Sequence, residues 1–553
     1  MRRRRPWRVA VLLAGAAVTV AVPAVLFADA GLGAAATMAL RRAGFEGAVV
    51  DVGRIGLDPD RWALQLDAAI DFGPLDGAGA ALGVPLGGRA RLSGTVVVAL
   101  SDWALTAMPL GCLEGAGKEL SLHGESLALP NGLTLCAPKD ASALRWSGDG
   151  LTLAADLRAP RLDLPARALR VDGLSVAWMQ SPPGQEVDAR AAALRRTVNP
   201  AELVPLALQI QGRQAADDMV WRFTGTAAGA QGLLTANLSG THDARTGEGR
   251  ADLQTKPVRL VPNGPGAKAL SPLLAGSIGG ASGTLTVKGT LVWGASGTRS
   301  SGQIRVQDAA GKLGPVTVAG VKGTVALSSL LPPVIPDGQK LAVALLDVGV
   351  PLTDGTVRFG YGRDRRLDVD EAVWNWAGGR LRADPFELSP TAPKGTVTLR
   401  AEGVDLARIF DLIDVEGMEA TGTLSGMLPV RLDGQHVRFD GGVLEARDAG
   451  TLRYDPAHPP PSLQGEDGSP GALLLGALTD FRYESLRLTI DGEAGADLSV
   501  GLSVRGANPS FYDGHPVALN LKLSGALDRI LRQSLDAARI PDAVRDRMTG
   551  FDK

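Results

Sequence analysis

The sequence is short of cysteine, aromatic rings, net charge and long apolar runs. Its 553 residues include two Cys, which excludes a disulfide-dense scaffold and a four-cysteine zinc site. Aromatics make up 4%, so any extended apolar surface must be built from aliphatic side chains. A formal net charge of -2 lacks the basic excess that a nucleic-acid partner requires. Only one stretch is long and apolar enough to cross a bilayer, which excludes a polytopic membrane protein. A hydrophobic fraction of 45% excludes a disordered chain. What the chain does have is turn formers, 71 Gly and 35 Pro. As a prior, the length allows three or four ordinary domains or one long repetitive one.

The apolar stretch lies at the N-terminus. Arg2, Arg3, Arg4, Arg5 and Arg8 precede Val9 to Ala28, which carries no charge. As a helix that stretch spans about 30 Å, one bilayer core. The arginines before it place residues 1–8 in the cytoplasm as a basic tail, 9–28 as a transmembrane anchor, and the rest outside the cytoplasm. A cleaved signal peptide is the alternative, since Ala28-Asp29-Ala30 fits a small-x-small site, although the apolar region exceeds the usual length of about 7–15. Both readings export the remainder. Gly31 to Gly44 follows as a short helical stalk. In an oxidising space Cys112 and Cys136 are expected to form a disulfide worth roughly 3–4 kcal/mol; two buried thiols are the alternative.

Beyond the stalk, apolar and polar residues alternate with period two, the mark of half-buried strands. Leu151, Leu153, Ala155 and Leu157 face one way. Leu285 and Val287 do so further on, then Val397 and Leu399, then Leu498, Val500, Leu502 and Val504, and last Val517, Leu519, Leu521 and Leu523. A Gly-Thr-apolar start recurs at irregular spacing, as at Gly94-Thr95-Val96 and Gly422-Thr423-Leu424. Gly supplies the turn and Thr opens the strand. Helices are few: Val404 to Val415 and Leu527 to Ala538 have amphipathic spacing. Ser181 to Glu186, Ser328 to Lys340 and Asp455 to Gly471 read as loops.

At about 12 residues per strand and turn, the body holds roughly 40 strands, and stacked at about 4.8 Å these reach on the order of 200 Å at most. So few helices cannot cover so many apolar strand faces, so the sheet must curl on itself. The expected fold is mainly β: an elongated, curled antiparallel β-sheet groove with one N-terminal transmembrane helix and a short amphipathic C-terminal helix. Arg or Glu at an inward position such as Leu502 or Leu519 is expected to block such a groove while the protein still folds.

No catalytic constellation emerges. The five histidines lack metal-ligand spacing, and no G-x-S-x-G elbow occurs. Gly111 to Glu119 departs from the phosphate-loop pattern at its first Gly and carries Glu119 where Ser or Thr is required. Asp368 and Asp370 read as solvated strand charges. No enzyme, cofactor or metal site is expected.

The C-terminal third carries the most specific text: Asp347 to Thr353 (DVGVPLT), Ala420 to Val430 (ATGTLSGMLPV), Gly441 to Ala446 (GGVLEA), Leu478 to Leu486 (LTDFRYESL), Arg505 to Pro509 (RGANP) and Gly514 to Leu521 (GHPVALNL). This succession resembles the YdbH family, a branch of the AsmA-like proteins with TamB and YhdP, over about residues 340 to 535. The resemblance implies an inner-membrane protein of the bacterial envelope with its bulk in the periplasm. In that arrangement 29–339 is a β-groove and 340–553 a C-terminal domain. It further implies a hydrophobic groove conducting phospholipids towards the outer membrane, and a small outer-membrane lipoprotein partner at the C-terminal end. Physically, a lipid of about 30 methylenes at roughly 0.8 kcal/mol each does not cross water unaided. The apolar strand residues, Leu285 to Leu523, are the expected lining. A TamB-like periplasmic scaffold for outer-membrane assembly is the alternative, and an exported enzyme a third reading. A trough open to solvent favours lipid, and a sealed interior favours the other two.

Overall fold

The computed structural model describes residues 31–524, leaving out 39, 42–46, 59–62, 73–85, 102, 123–124, 140, 200, 230–231, 265, 273–277, 314–315, 349, 391, 413–416, 435, 459–465, 467–468 and 494–497. The basic tail, the apolar stretch 9–28 and the C-terminal helix expected at 527–538 lie outside the described residues. Among the described residues no helix is long and apolar enough to cross a membrane. The chain divides into two compact units, Met1–Lys256 with Thr290–Arg299, and Pro257–Gly289 with Ser300–Lys553. This division falls earlier than the boundary at 340 drawn from the resemblance.

The described residues form 33 strands, fewer than the rough count from the sequence because single strands run to 16 or 17 residues. In the first unit β1 is Ala48–Asp58, β2 Ala63–Phe72, β3 Leu86–Ser101, β4 Ala104–Pro109 and β5 Cys112–Leu122. Next come β6 Glu125–Ser126, β7 Leu133–Cys136, β8 Leu144–Ser147, β9 Gly150–Leu164 and β10 Leu169–Ser181. The series ends with β11 Gly184–Arg196, β12 Leu206–Ala215, β13 Val220–Gly229, β14 Leu234–Asp243 and β15 Gly249–Thr255. From β9 to β15 each strand pairs antiparallel with the next. The loop read at Ser181 to Glu186 is only Pro182-Pro183, because Ser181 already pairs with Gly184. Neither proline has an N–H to give the ladder, so the chain turns there. Cys112 on β5 and Cys136 on β7 are register partners and are disulfide-bonded.

The second unit closes around a packed core. Leu424, Leu444, Leu452 and Phe481 are fully buried, with Trp374, Trp376, Phe410 and Tyr483 among them. Tyr483 brings its hydroxyl into this core and donates to the Thr421 carbonyl at 2.6 Å, so no phenolic group is left unpaired. Close to this hydroxyl lies Gly450, where an added Cβ would sit 2.5 Å from both the Thr421 oxygen and the hydroxyl.

Three local readings of this unit are corrected. The helix expected from Val404 begins only at Leu406 and is described to Leu412. Val404 is still in the sheet, paired with Leu424, and the Asp405 carboxylate accepts the Ala407 N–H at 2.9 Å, ending the strand and starting the helix. The segment Ser328 to Lys340 is mostly strand, since Pro333–Asp347 pairs with Pro351–Tyr361. The loop read as Asp455 to Gly471 gives way to a helix, Pro470–Leu478. Ser469 caps it by accepting from Ala472, and Pro470 occupies the first turn, where its missing N–H is harmless.

Candidate functional site

The strand registers of the first unit sort its side chains into two faces. One row across β9 to β15 reads Leu157, Val176, Ala189, Ile210, Gly225, Leu238 and Leu253. The rows on either side, through Trp178, Val187 and Phe223 and through Leu174 and Leu208, are equally free of charge. On the opposite face the neighbouring row is Arg158, Ser175, Arg190, Gln209, Thr226, Asn237 and Gln254. Strand geometry alone produces this separation, because successive side chains point to opposite faces and the register keeps like with like.

Burial along the apolar face is distinctive. Leu157, Leu174, Val176, Leu208, Ile210, Leu238 and Leu253 are all half-buried. The small residues between them, Ala159, Ala191, Ala227 and Ala236, are buried. These large side chains therefore cover the small ones and are themselves not fully covered, whereas Leu153 and Trp221 at the margin of the face are buried. A sandwich core would bury both. Six strand spacings at about 4.8 Å make this face about 29 Å across, whereas one bilayer leaflet is roughly 15 Å thick.

The polar face is held by arginine–aspartate pairs along and across strands. Arg190 pairs with Asp188 at 3.1 Å and Arg250 with Asp252 at 2.9 Å; Arg195 pairs with Asp172 at 2.6 Å at the end of β10 where the apolar rows stop. Hydrogen bonds from these arginines hold the Asp188 and Asp252 carboxyls below the usual carboxylate range. Asp163 is lowered in the same way, first by Arg161 and then by Arg170. Such exposed pairs add little stability each. The Asp188 and Asp252 pairs keep their charge on the wet side, whereas Arg161, Asp163, Asp172 and Arg195 stand in register beyond Ala159, Leu174 and Ala191 and bound the apolar face at that end.

The N-terminal edge of this unit has its own cavity of about 600 Å³ between the helical residues 31–38 and 40–41 and β1, lined by Gly33, Thr37, Met38, Arg41 and Val50. The Thr37 hydroxyl accepts the Val50 N–H at 2.9 Å and Arg41 Nε donates to the Ala48 carbonyl at 3.1 Å. These bonds tie the helix to β1.

The lining residues expected from the sequence fall in different surroundings. Leu285 and Val287 are half-buried. Val397, Val500, Leu502 and Val504 are part of the packed core of the second unit, with Val504 only 2% exposed, and Leu399, Leu498, Val517 and Leu519 pack against it. The side chains of Leu521 and Leu523 lie outside the described residues. The four core residues are covered by protein and offer no open surface. The open face, centred on Ile210, was signalled by Leu206, Leu208 and Ile210 alternating with Ala207, Gln209 and Gln211.

Reactive side chains do not converge. Among the described residues no group of three or more His, Cys, Asp or Glu could hold a metal ion. His242 accepts from Trp293 Nε1 at 3.1 Å, and His436 is bonded to Glu493. Asp368 is pushed above the usual carboxylate range, first by burial and then by Glu387, Asp364 and Asp337. Gly111 to Glu119 forms the Gly111 turn and most of β5.

A family model described as YdbH-like, intermembrane phospholipid transport protein YdbH, matches residues 117–549. No curated protein and no solved structure matches the chain.

Proposed function

The chain belongs to the YdbH-like family of intermembrane phospholipid transport proteins, and we propose that it carries phospholipid acyl chains along the aliphatic face of β9 to β15. The observation that supports this reading is the half-burial of the large side chains around Ile210, from Leu157 and Val176 to Leu238 and Leu253, with only Leu153 and Trp221 at the margin of that face buried. Such a surface is apolar enough to replace water around a lipid tail and open enough to admit one. A lipid of about 30 methylenes loses roughly 24 kcal/mol of favourable surroundings in water, and contact on one side returns about half. Aliphatic side chains offer no directional contacts, so the lipid slides without a deep minimum. The headgroup stays at the wet margin.

In this reading the apolar stretch 9–28 anchors the chain in the inner membrane, the body lies in the periplasm as a bridge, and a small outer-membrane lipoprotein meets the C-terminal end. The packed interior of the second unit favours a different role for that part. Its sealed core around Leu444 and Phe481 suits a scaffold or docking module, as in a TamB-like assembly role.

Photoreactive residues test the conduit. Placed at Leu208, Ile210 or Leu238 in cells, they are expected to capture phospholipid, detected by mass spectrometry, whereas Gln209 and Asn237 on the polar face capture none. Equal capture on both faces, or none on the apolar face, overturns the proposal.

A further inference from the structure

One corner of the first unit exposes large apolar side chains that no strand covers. Leu100, next to last in β3, pairs with Leu105 of β4, and Leu105 pairs with Trp146 of β8. Trp146 pairs in turn with Leu151 of β9, so this row belongs to the same apolar face that continues through β9 to β15. Trp103 stands in the two-residue turn between Ser101 and Ala104 and is 96% exposed. Leu57, at the same end of β1, is 70% exposed, as is Leu100, and Trp146 is 61% exposed.

Exposure on this scale is costly. Each such side chain forgoes roughly 1.5–3 kcal/mol available on burial. Trp103 also adopts a φ of 56°, in the left-handed region where a bulky residue is a genuine outlier. A tight turn ordinarily places Gly or Asn there. Here the strained position instead projects an indole outward at the tip of a hairpin.

We propose that the Leu57, Leu100, Trp103, Leu105 and Trp146 corner dips into the headgroup–acyl boundary of a phospholipid bilayer and joins it to the apolar face. The proposal rests on the conduit reading given above. Two observations select a bilayer over a protein partner. The patch is continuous, through Leu151, with the face assigned to lipid. Among the described residues β1 pairs only with β2, so it is the edge of the sheet. Trp with Leu is also the side-chain set that settles at membrane interfaces, an indole bridging the apolar and wet layers, and exposed Arg145 next to Trp146 suits anionic headgroups.

The test uses the full chain reconstituted into vesicles of phosphatidylethanolamine and phosphatidylglycerol. Both native cysteines are disulfide-bonded, so Trp103→Cys and, in a separate protein, Gln209→Cys each give one thiol for an environment-sensitive fluorophore. At 103 the emission is expected to shift to the blue, to be quenched by doxyl-labelled lipid and to be shielded from iodide; at 209 it stays water-like. Water-like emission at 103, or shielding there without lipid quenching, overturns the proposal, the latter outcome pointing to a protein partner. In parallel, Leu100→Asp with Trp103→Asp is expected to slow loading of labelled lipid from the vesicles while photocapture at Ile210 of lipid supplied in detergent is retained. Unchanged loading also overturns the proposal. Loss of capture at Ile210 in the unsubstituted protein would instead defeat the conduit reading, whatever the fluorophore at 103 reports.

Discussion

Ile210→Arg separates transport from folding. Ile210 sits mid-row on the open face, opposite Ala189 and Gly225, and is half-buried. Full burial of an isoleucine is worth about 1.5–3 kcal/mol, so half-burial puts roughly 1–1.5 kcal/mol at risk. An arginine returns part of that by laying its methylene stem along the face and turning its guanidinium to water. The fold should therefore lose under about 1.5 kcal/mol. For a passing acyl chain, a charge on an otherwise aliphatic path costs about 2.5–3.5 kcal/mol, judged from its cost inside a bilayer. At 1.4 kcal/mol per factor of ten, transfer should slow by roughly a hundredfold. The assay reads movement of fluorescent phosphatidylethanolamine from proteoliposomes to acceptor vesicles, with urea unfolding as the stability measure and Gln209→Arg as the polar-face control. A variant that stays folded and transfers lipid at the unsubstituted rate would refute the reasoning. Leu502→Arg is no substitute, contrary to the expectation from sequence. Leu502 is 5% exposed within the packed core, and an unpaired buried charge there costs several kcal/mol. That protein should fail to fold before transport can be measured.

Reducing the Cys112–Cys136 bond, or replacing both residues by Ser, should lower stability by roughly 3–4 kcal/mol for a separation of 24 residues, read as an earlier urea midpoint that reductant does not shift further in the double Ser variant. Gly450→Ala should destabilise the second unit, because the new Cβ would lie 2.5 Å from the Thr421 carbonyl oxygen and the Tyr483 hydroxyl; thermal unfolding of the variant beside Gly450→Ala with Tyr483→Leu checks whether removing the ring recovers part of the loss. The hydrogen bond and charge of Glu493 raise His436 above the ordinary histidine range. A raised folded pKa means the pair's contribution is complete below the unfolded histidine value and fades as pH rises through the folded one. An NMR titration of His436 should thus shift downward in Glu493→Gln, and an unshifted titration would remove the pair from the account.

Period-two alternation marks Leu498–Ala507 as a strand, and the same pattern runs through β12, which was not among the expected lining. It could not say which alternating faces would be covered. Leu208 and Ile210 on β12 stay half-buried, while Leu502 and Val504, in an equally regular pattern, are buried. The difference comes from long-range partners: Leu406, Ile409 and Phe410 of the Leu406–Leu412 helix and Phe481 and Tyr483 join the core of the second unit. No local window contains them. The Pro470–Leu478 helix escaped notice for another reason. Its apolar residues Leu473, Leu474, Leu475 and Leu478 are consecutive or close, so it lacks the polar stripe that reveals a surface helix, although Ser469-Pro470 has the form of a helix start.

Register and function impose one constraint on the first unit. Shifting a strand by one residue exchanges its two faces. For β12 that would turn Gln209 and Gln211 onto the aliphatic row and leave Leu208 and Ile210 beside Arg190 and Asp188. The charged residues of β11, paired at 3.1 Å on the wet face, would then meet apolar partners, and the row would be interrupted by amides. The arginine–aspartate pairs, individually weak, thus matter most for the arrangements they disfavour. On β11 they favour the one register that leaves an unbroken aliphatic row from Leu157 to Leu253. A sequence selected only for β-sheet stability could mix charge into both faces of an uncovered sheet. Exclusion of charge from the three rows around Ile210, on a face that water can reach, is instead what a surface built for lipid requires.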